Sequence, residues 1–197
     1  MASQQLCPVP KPVAIFDQFI AQQTEVLALK EKVLSLSGDS FDVKLANGQP
    51  IFQIKSKLMS FHGRKSVFDM AGKHLFDIVK EHLHIHTTFA AEDPNGKKLL
   101  EVKSSFSLVG SKTIATFTSP RTGSTEILQM KGNWSDTKVD IVNEATGVVV
   151  ARIDRKLWRG HELFFDKQTY AVMVAPGVDL ALIAALCVCF DEKNNEN

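Results

Sequence analysis

The amino-acid sequence predicts a mainly β fold: about twelve antiparallel strands closed into a barrel around a hydrophobic C-terminal α-helix. Three observations lead there. Turn glycines recur in the dipeptides Asn47-Gly48, Ala71-Gly72, Asn95-Gly96, Thr122-Gly123 and Thr146-Gly147, at intervals of 24, 24, 27 and 24 residues. Segments beside them alternate apolar and polar residues with the period of two that sends strand side chains to opposite faces. Finally, Val178 to Phe190 is apolar at every helical phase, so a helix there must be surrounded on all sides.

Residues 1–23 carry Pro8, Pro10, Pro12 and several glutamines, which predicts an irregular leader lying on the surface of the domain. "TEVLALKEKVLSL" is expected to form the first strand, although Val26, Leu27, Leu29, Lys30 and Glu31 also suit a helix. In "PIFQIKSKL" Phe52, Ile54, Ser56 and Leu58 take one face, and Gln53, Lys55 and Lys57 the other. "KVDIVNEATGVVVARID" has the same form, with Val139 and Ile141 before a turn and a β-branched run after it. Each glycine interval holds two strands and one connection, so five hairpins give about ten strands. The first segment and "ELFFDKQTYAVMV" raise the count to about twelve. So many strands need two stacked sheets or closure, and closure removes exposed edges. The expected organisation is one domain over residues 24–191, with its central helix at about 178–190, followed by a polar, frayed tail at 192–197.

The helix is too short for a membrane span. Thirteen residues rise about 20 Å, whereas a bilayer takes about twenty residues. Extension back to Tyr170 would place Pro176, Gly177 and the carboxylate of Asp179 in mid-membrane. Asp191 and Glu192 follow directly, with no basic cluster to mark a cytoplasmic flank. Pro176-Gly177 instead reads as the end of a strand, and Asp179 as an acid in the first helical turn, at the positive end of the helix dipole.

With 23 basic against 22 acidic side chains, no whole-molecule field draws the protein to nucleic acid. "MASQQLCPVPKP" lacks the basic start and apolar stretch of a secretory signal. Cys187 and Cys189 stand two apart in a helix, which does not suit a bridge, so reduced thiols in the cytoplasm or nucleus are expected. The sequon at Asn133 would then stay unmodified.

The segments "LKEKVLSLSGDSFDVKLANGQPIFQIKSK", "GRKSVFDMAGKHLFDIVKEHLHIH" and "APGVDLALIAALCVCFD", in that order, resemble the LURP-one-related proteins. Those belong to the tubby C-terminal-like superfamily, together with the phospholipid scramblases. The resemblance runs over roughly Thr24 to Asp191 and implies a twelve-stranded barrel enclosing a hydrophobic C-terminal helix. Members often carry a tryptophan after the segment matching "HLHIH", where this chain has Thr87, Thr88 and Phe89. Tubby domains bind phosphoinositides on the barrel surface, so the resemblance adds weight to a lipid-headgroup role. Scramblase activity carries over less well, because it depends on membrane insertion.

Candidate chemistry is sparse. His82, His84 and His86 alternate with Leu83 and Ile85, and such a face is either the solvent side of a half-buried strand or a set of zinc or iron ligands awaiting a fourth. No nucleophile motif, phosphate loop or paired-cysteine metal motif occurs, so neither catalysis nor a cofactor is expected. Residues 51–80 hold Lys55, Lys57, Arg64, Lys65, Lys73 and Lys80 against Asp69 and Asp77, a candidate patch for an anionic headgroup or another anionic partner. Arg152, Arg155, Lys156 and Arg159, around Trp158, form a second, weaker cluster. The expected function is a non-enzymatic intracellular binding or regulatory module, cytoplasmic, nuclear or at a membrane periphery. The alternatives are a ligand-free protein-interaction scaffold and, below it, a metal-dependent enzyme or a scramblase-like protein.

Overall fold

The computed structural model describes residues 5–30, 41–56, 64–81, 88–107, 110–133, 136–157 and 169–195. Twelve strands follow one another around a closed antiparallel barrel: β1 (Glu25–Lys30), β2 (Phe41–Leu45), β3 (Pro50–Ser56), β4 (Lys65–Asp69), β5 (His74–Glu81), β6 (Thr88–Glu92), β7 (Lys98–Ser107), β8 (Gly110–Thr118), β9 (Thr125–Lys131), β10 (Lys138–Asn143), β11 (Val149–Asp154) and β12 (Thr169–Val174). The first and last strands close the ring, in register from Glu25 opposite Val174 to Lys30 opposite Thr169. The part of the segment at Glu25–Lys30 is thus a strand and not a helix, while its remainder, from Glu31 on, lies outside the described residues.

All five glycine turns are hairpins. Gly48, Gly72, Gly96, Gly123 and Gly147 have φ between 68° and 85°, where a Cβ would be strained. Because every second connection is one of these turns, all five lie at the same end of the barrel, here the hairpin end. Three of them close similarly: Asp69 takes the N–H of Gly72 on its carbonyl and gives its own N–H to Lys73, and the turns at Gly48 and Gly96 repeat this pattern. Those are type I turns ending in a left-handed glycine, the common three-residue hairpin loop.

The alternation along each strand fills the lumen. Phe52 and Ile54 of β3 point in and are nearly inaccessible, while Lys55 points out. Val67, Phe76, Ile78, Leu100, Val102, Leu128, Ile141 and Ile153 add to the same apolar lining. Through it runs α1 (Leu180–Asn195), on which every side chain from Ala181 to Phe190 is buried. No described helix is long and apolar enough to cross a membrane. An apolar helix surrounded by an apolar ring buries its whole circumference, which explains the absence of a polar stripe.

The leader covers the hairpin end. Val9 and Val13 donate to the carbonyls of Pro176 and Gly177, and Ala21 exchanges hydrogen bonds with Val178 and Gly177. A short turn at Asp17–Phe19 places Phe19 edge-on to Phe52 at 4.9 Å, and Phe16 stacks on Phe76 at 5.9 Å. Gly177 has φ of 89°, and a Cβ there would meet Val9 Cγ2 at 2.6 Å, so glycine serves both the backbone and the close approach of the leader.

Candidate functional site

The basic stretch between residues 51 and 80 divides between the two faces of the barrel wall and between its two ends. On the outer face, the ammonium of exposed Lys55 lies 4.7 Å above the ring centroid of Phe68, within cation–π range. Phe68 stacks on His74 with ring centroids 5.0 Å apart. His74 Nε2 contacts Asp77 Oδ1 at 3.0 Å, and Ser66 Oγ donates to the same oxygen at 2.6 Å. Arg64 Nη1 donates to Asp77 Oδ2 at 2.6 Å, and its Nη2 stands 3.5 Å from Glu92. The β4–β5 register makes this cluster, because it sets Ser66 opposite Asp77.

Burial pushes the Asp77 carboxyl up, but hydrogen bonds from Ser66, Arg64 and His74 outweigh it and hold the group below its ordinary range. Ser66, His74 and Asp77 do not form a nucleophile relay. The serine and the imidazole both engage the carboxylate, so the imidazole does not activate the hydroxyl.

Lys65 departs from the expected surface role. It shares the inward phase of Val67, is 1% exposed, and pairs with Glu192 near the C-terminal end of α1. Burial pushes its ammonium down to about 8, against the pull of Asp191. A solvent-borne headgroup does not reach it. Lys73 is exposed but sits in the β4–β5 turn at the hairpin end, most of a strand away from Lys55. Lys80 shares the inward phase of Ile78 and is half-buried. Lys57 lies outside the described residues. Of the five described cations, Lys55 and Arg64 both reach the outer-face cluster of Phe68, His74 and Asp77, whereas Lys65 and Lys80 turn inward and Lys73 sits at the hairpin end.

The second cluster is likewise engaged. Arg152 grips Asp140 across β10 and β11 with two hydrogen bonds, 2.5 Å and 2.9 Å, in the paired geometry that guanidinium and carboxylate favour. Arg155 lies 5.0 Å from the ring centroid of buried Tyr170, and Lys156 is exposed. Trp158 and Arg159 are outside the described residues, as are His82, His84 and His86. Among the described residues, no three His, Cys, Asp or Glu side chains are grouped to hold a metal.

The sequence placed Asp179 in the first helical turn but named neither its contacts nor the clefts beside it at the hairpin end. Asp179, fully buried, stands just before the helix; its Oδ1 accepts the N–H of Ala181 at 2.8 Å and its carbonyl that of Ile183. Its other oxygen accepts the N–H groups of Ile15 and Phe16. Beside the leader there are also two clefts. One, of about 630 Å³, lies against the β8–β9 and β10–β11 hairpins, and the other, of about 450 Å³, against β2–β3 and β4–β5.

Comparison with known proteins agrees with this architecture. The protein named LURP-one-related 15 of Arabidopsis thaliana is 23% identical, over 96% of this chain and 90% of its own length. Protein LURP1 of the same plant is 24% identical over 84% of this chain and 82% of its own. An X-ray structure of an Arabidopsis thaliana protein superposes with a TM-score of 0.58 at 17% identity, covering 93% of this chain and 99% of that one, a likeness of fold. The LURP-one-related family profile matches residues 25–191, from the first residue of β1 to the acidic turn of α1, and the chain belongs to that family.

Proposed function

We propose that this protein is a non-enzymatic binding and regulatory module that recognises an anionic partner, foremost a phosphoinositide headgroup, on the outside of its barrel. The filled lumen carries this reading. Among the described residues the lumen is occupied by the barrel's own helix, which favours recognition on the outer face and the rim. Lys55, exposed above Phe68, is the outer-face cation best disposed to meet an anion. Lys57, in the same phase of the sequence, is its natural companion. The three thiols are unpaired, which fits a reducing intracellular compartment.

Sedimentation with phosphatidylcholine vesicles, with and without phosphoinositide, tests the reading at physiological salt. The wild-type chain pellets with phosphoinositide vesicles, and the pair Lys55→Glu and Lys57→Glu reduces pelleting about tenfold, as expected for two charge-assisted contacts. No sedimentation of the wild type, or no effect of the pair, discards the lipid version. A second reading, a ligand-free protein-interaction scaffold, is favoured by the internal pairing of Arg64 with Asp77 and Glu92 and of Arg152 with Asp140. It predicts protein partners that remain bound to the same double variant.

A further inference from the structure

Along β9 the inward phase reads Glu126, Leu128, Met130, and the register sets Glu126 opposite lumen-facing Phe117. On β10 the inward phase ends at Asn143, opposite Leu128. Two polar side chains thus point inward at the hairpin end, the end of the barrel away from the Lys65–Glu192 pair. Asn143 is explained by its turn, since its Oδ1 accepts the N–H groups of Ala145 and Thr146. Its amide also donates to Glu126 Oε2 at 3.2 Å. Among the described residues this is the sole hydrogen bond of the Glu126 side chain, and Glu126 has no ion pair. A half-buried carboxylate held by one neutral amide is under-compensated.

In front of that carboxylate opens the cleft of about 630 Å³, a volume in the range of small-molecule sites. Its facing wall is the leader, where Val9, Pro12 and Val13 supply apolar surface, and Ile127 adds to it from the barrel. Four charged residues line it. Arg121 is committed to Asp17 at 2.7 Å, outside the cleft, while Lys11 and Glu144 also line it and neither is ion-paired with Glu126 among the described residues. Glu126 is the inward-phase carboxylate of the group, held by the Asn143 amide. Burial raises its pKa and the Asn143 amide only partly opposes this, the condition that an incoming cation would reverse.

We propose that this cleft at the barrel mouth binds a protonated amine carried on an apolar stem, with Glu126 as its charge partner and the leader as its apolar wall. The site lies at the rim and shares no residue with the outer face of β3–β5, so it stands or falls independently of phosphoinositide binding. A free amine and a lysine side chain offer the same chemistry, and the test separates them.

Titration of the full chain at neutral pH, followed by ligand-observed NMR, would use hexylamine, hexanol, hexanoate and Nα-acetyl-lysine methylamide. An amine binds at least tenfold more tightly than the alcohol or the carboxylate of equal length. Glu126→Gln keeps an acceptor for Asn143 and therefore the fold, yet loses at least tenfold in amine affinity. Ala145→Trp, at an exposed turn position on the cleft wall, blocks binding while leaving the carboxylate in place. Binding by the lysine derivative alone assigns the site to a peptide side chain, and binding by hexylamine alone assigns it to a free amine. Equal binding of the three hexyl probes, unchanged affinity in Glu126→Gln, or no amine binding overturns the proposal.

Discussion

Asp179 Oδ2 accepts the backbone N–H of Phe16 at 2.8 Å, across 163 residues of chain, while the other oxygen of the same carboxylate caps the central helix. One side chain therefore starts the helix and fastens the leader over the barrel mouth. Asp179→Ala removes a cap worth about 1 kcal/mol and strands the N–H groups of Ile15 and Phe16, each costing about 1–3 kcal/mol if left unpaired. Urea unfolding should show a loss of roughly 3 kcal/mol. In the folded variant, proteolysis should cut the leader first. A loss under about 0.5 kcal/mol, within the range of an ordinary surface change, would show that the leader is held by other contacts.

Much of this fold could be read from local pattern, and what could not depends on pairings between distant residues. Gly48, Gly72, Gly96, Gly123 and Gly147 announced their hairpins because a left-handed backbone is a local demand on one residue. The apolar circumference of Val178–Phe190 announced its surroundings for a similar reason. Counting charge along the chain without regard to strand phase groups Lys65 and Lys80 with the outer basic residues. Lys65 is two residues before Val67 and shares its inward direction, a signal present in "KSVFD". Its partner Glu192 is 127 residues away, beyond any local rule. Glu126, in phase with Leu128 and Met130, carried a similar signal of a charge on a lumen phase.

The Lys65–Glu192 pair gives a test that separates pairing from burial. Lys65→Met leaves Glu192 as an unpaired, nearly inaccessible charge and should cost about 3–5 kcal/mol, whereas Lys65→Met with Glu192→Gln should lie close to the wild type or above it. The pH dependence has a definite sign. The folded ammonium titrates at about 8 and the unfolded one at 10.5, so between these values the unfolded chain binds more protons. Stability from this group therefore rises with pH across that window, and its penalty is fully present below about 8. Measured against the double variant, the wild type should gain stability from pH 8 to 10.5; a flat or falling difference would refute the burial argument.

The thiols should report the same interior. Burial raises the pKa of Cys187 and pushes Cys189 up to about 12, while Cys7 is exposed. Because the thiolate is the reactive form, a thiol reagent at neutral pH should label Cys7 within minutes and leave both helix cysteines untouched until denaturant is added. Labelling of Cys187 or Cys189 at the rate of Cys7 would require the barrel to open on that timescale.

The most severe test concerns the helix itself. Removing Val178 to Asn197 would leave Phe52, Ile78, Leu100, Leu128, Ile141 and Ile153, all nearly inaccessible now, around a hollow that no other described segment fills. Leu182, Ile183, Leu186, Val188 and Phe190 each contribute about 1.5–3 kcal/mol through burial, on the order of 10 kcal/mol together, which equals the whole stability of a typical domain. The truncated chain should be insoluble or unfolded by circular dichroism. Ala184→Asp, which places an unpaired carboxylate at a position with no exposure, should abolish cooperative unfolding without shortening the chain. A membrane anchor would behave oppositely: its removal would leave a folded, soluble barrel. That result would contradict the helix's role as the core on which the strands close.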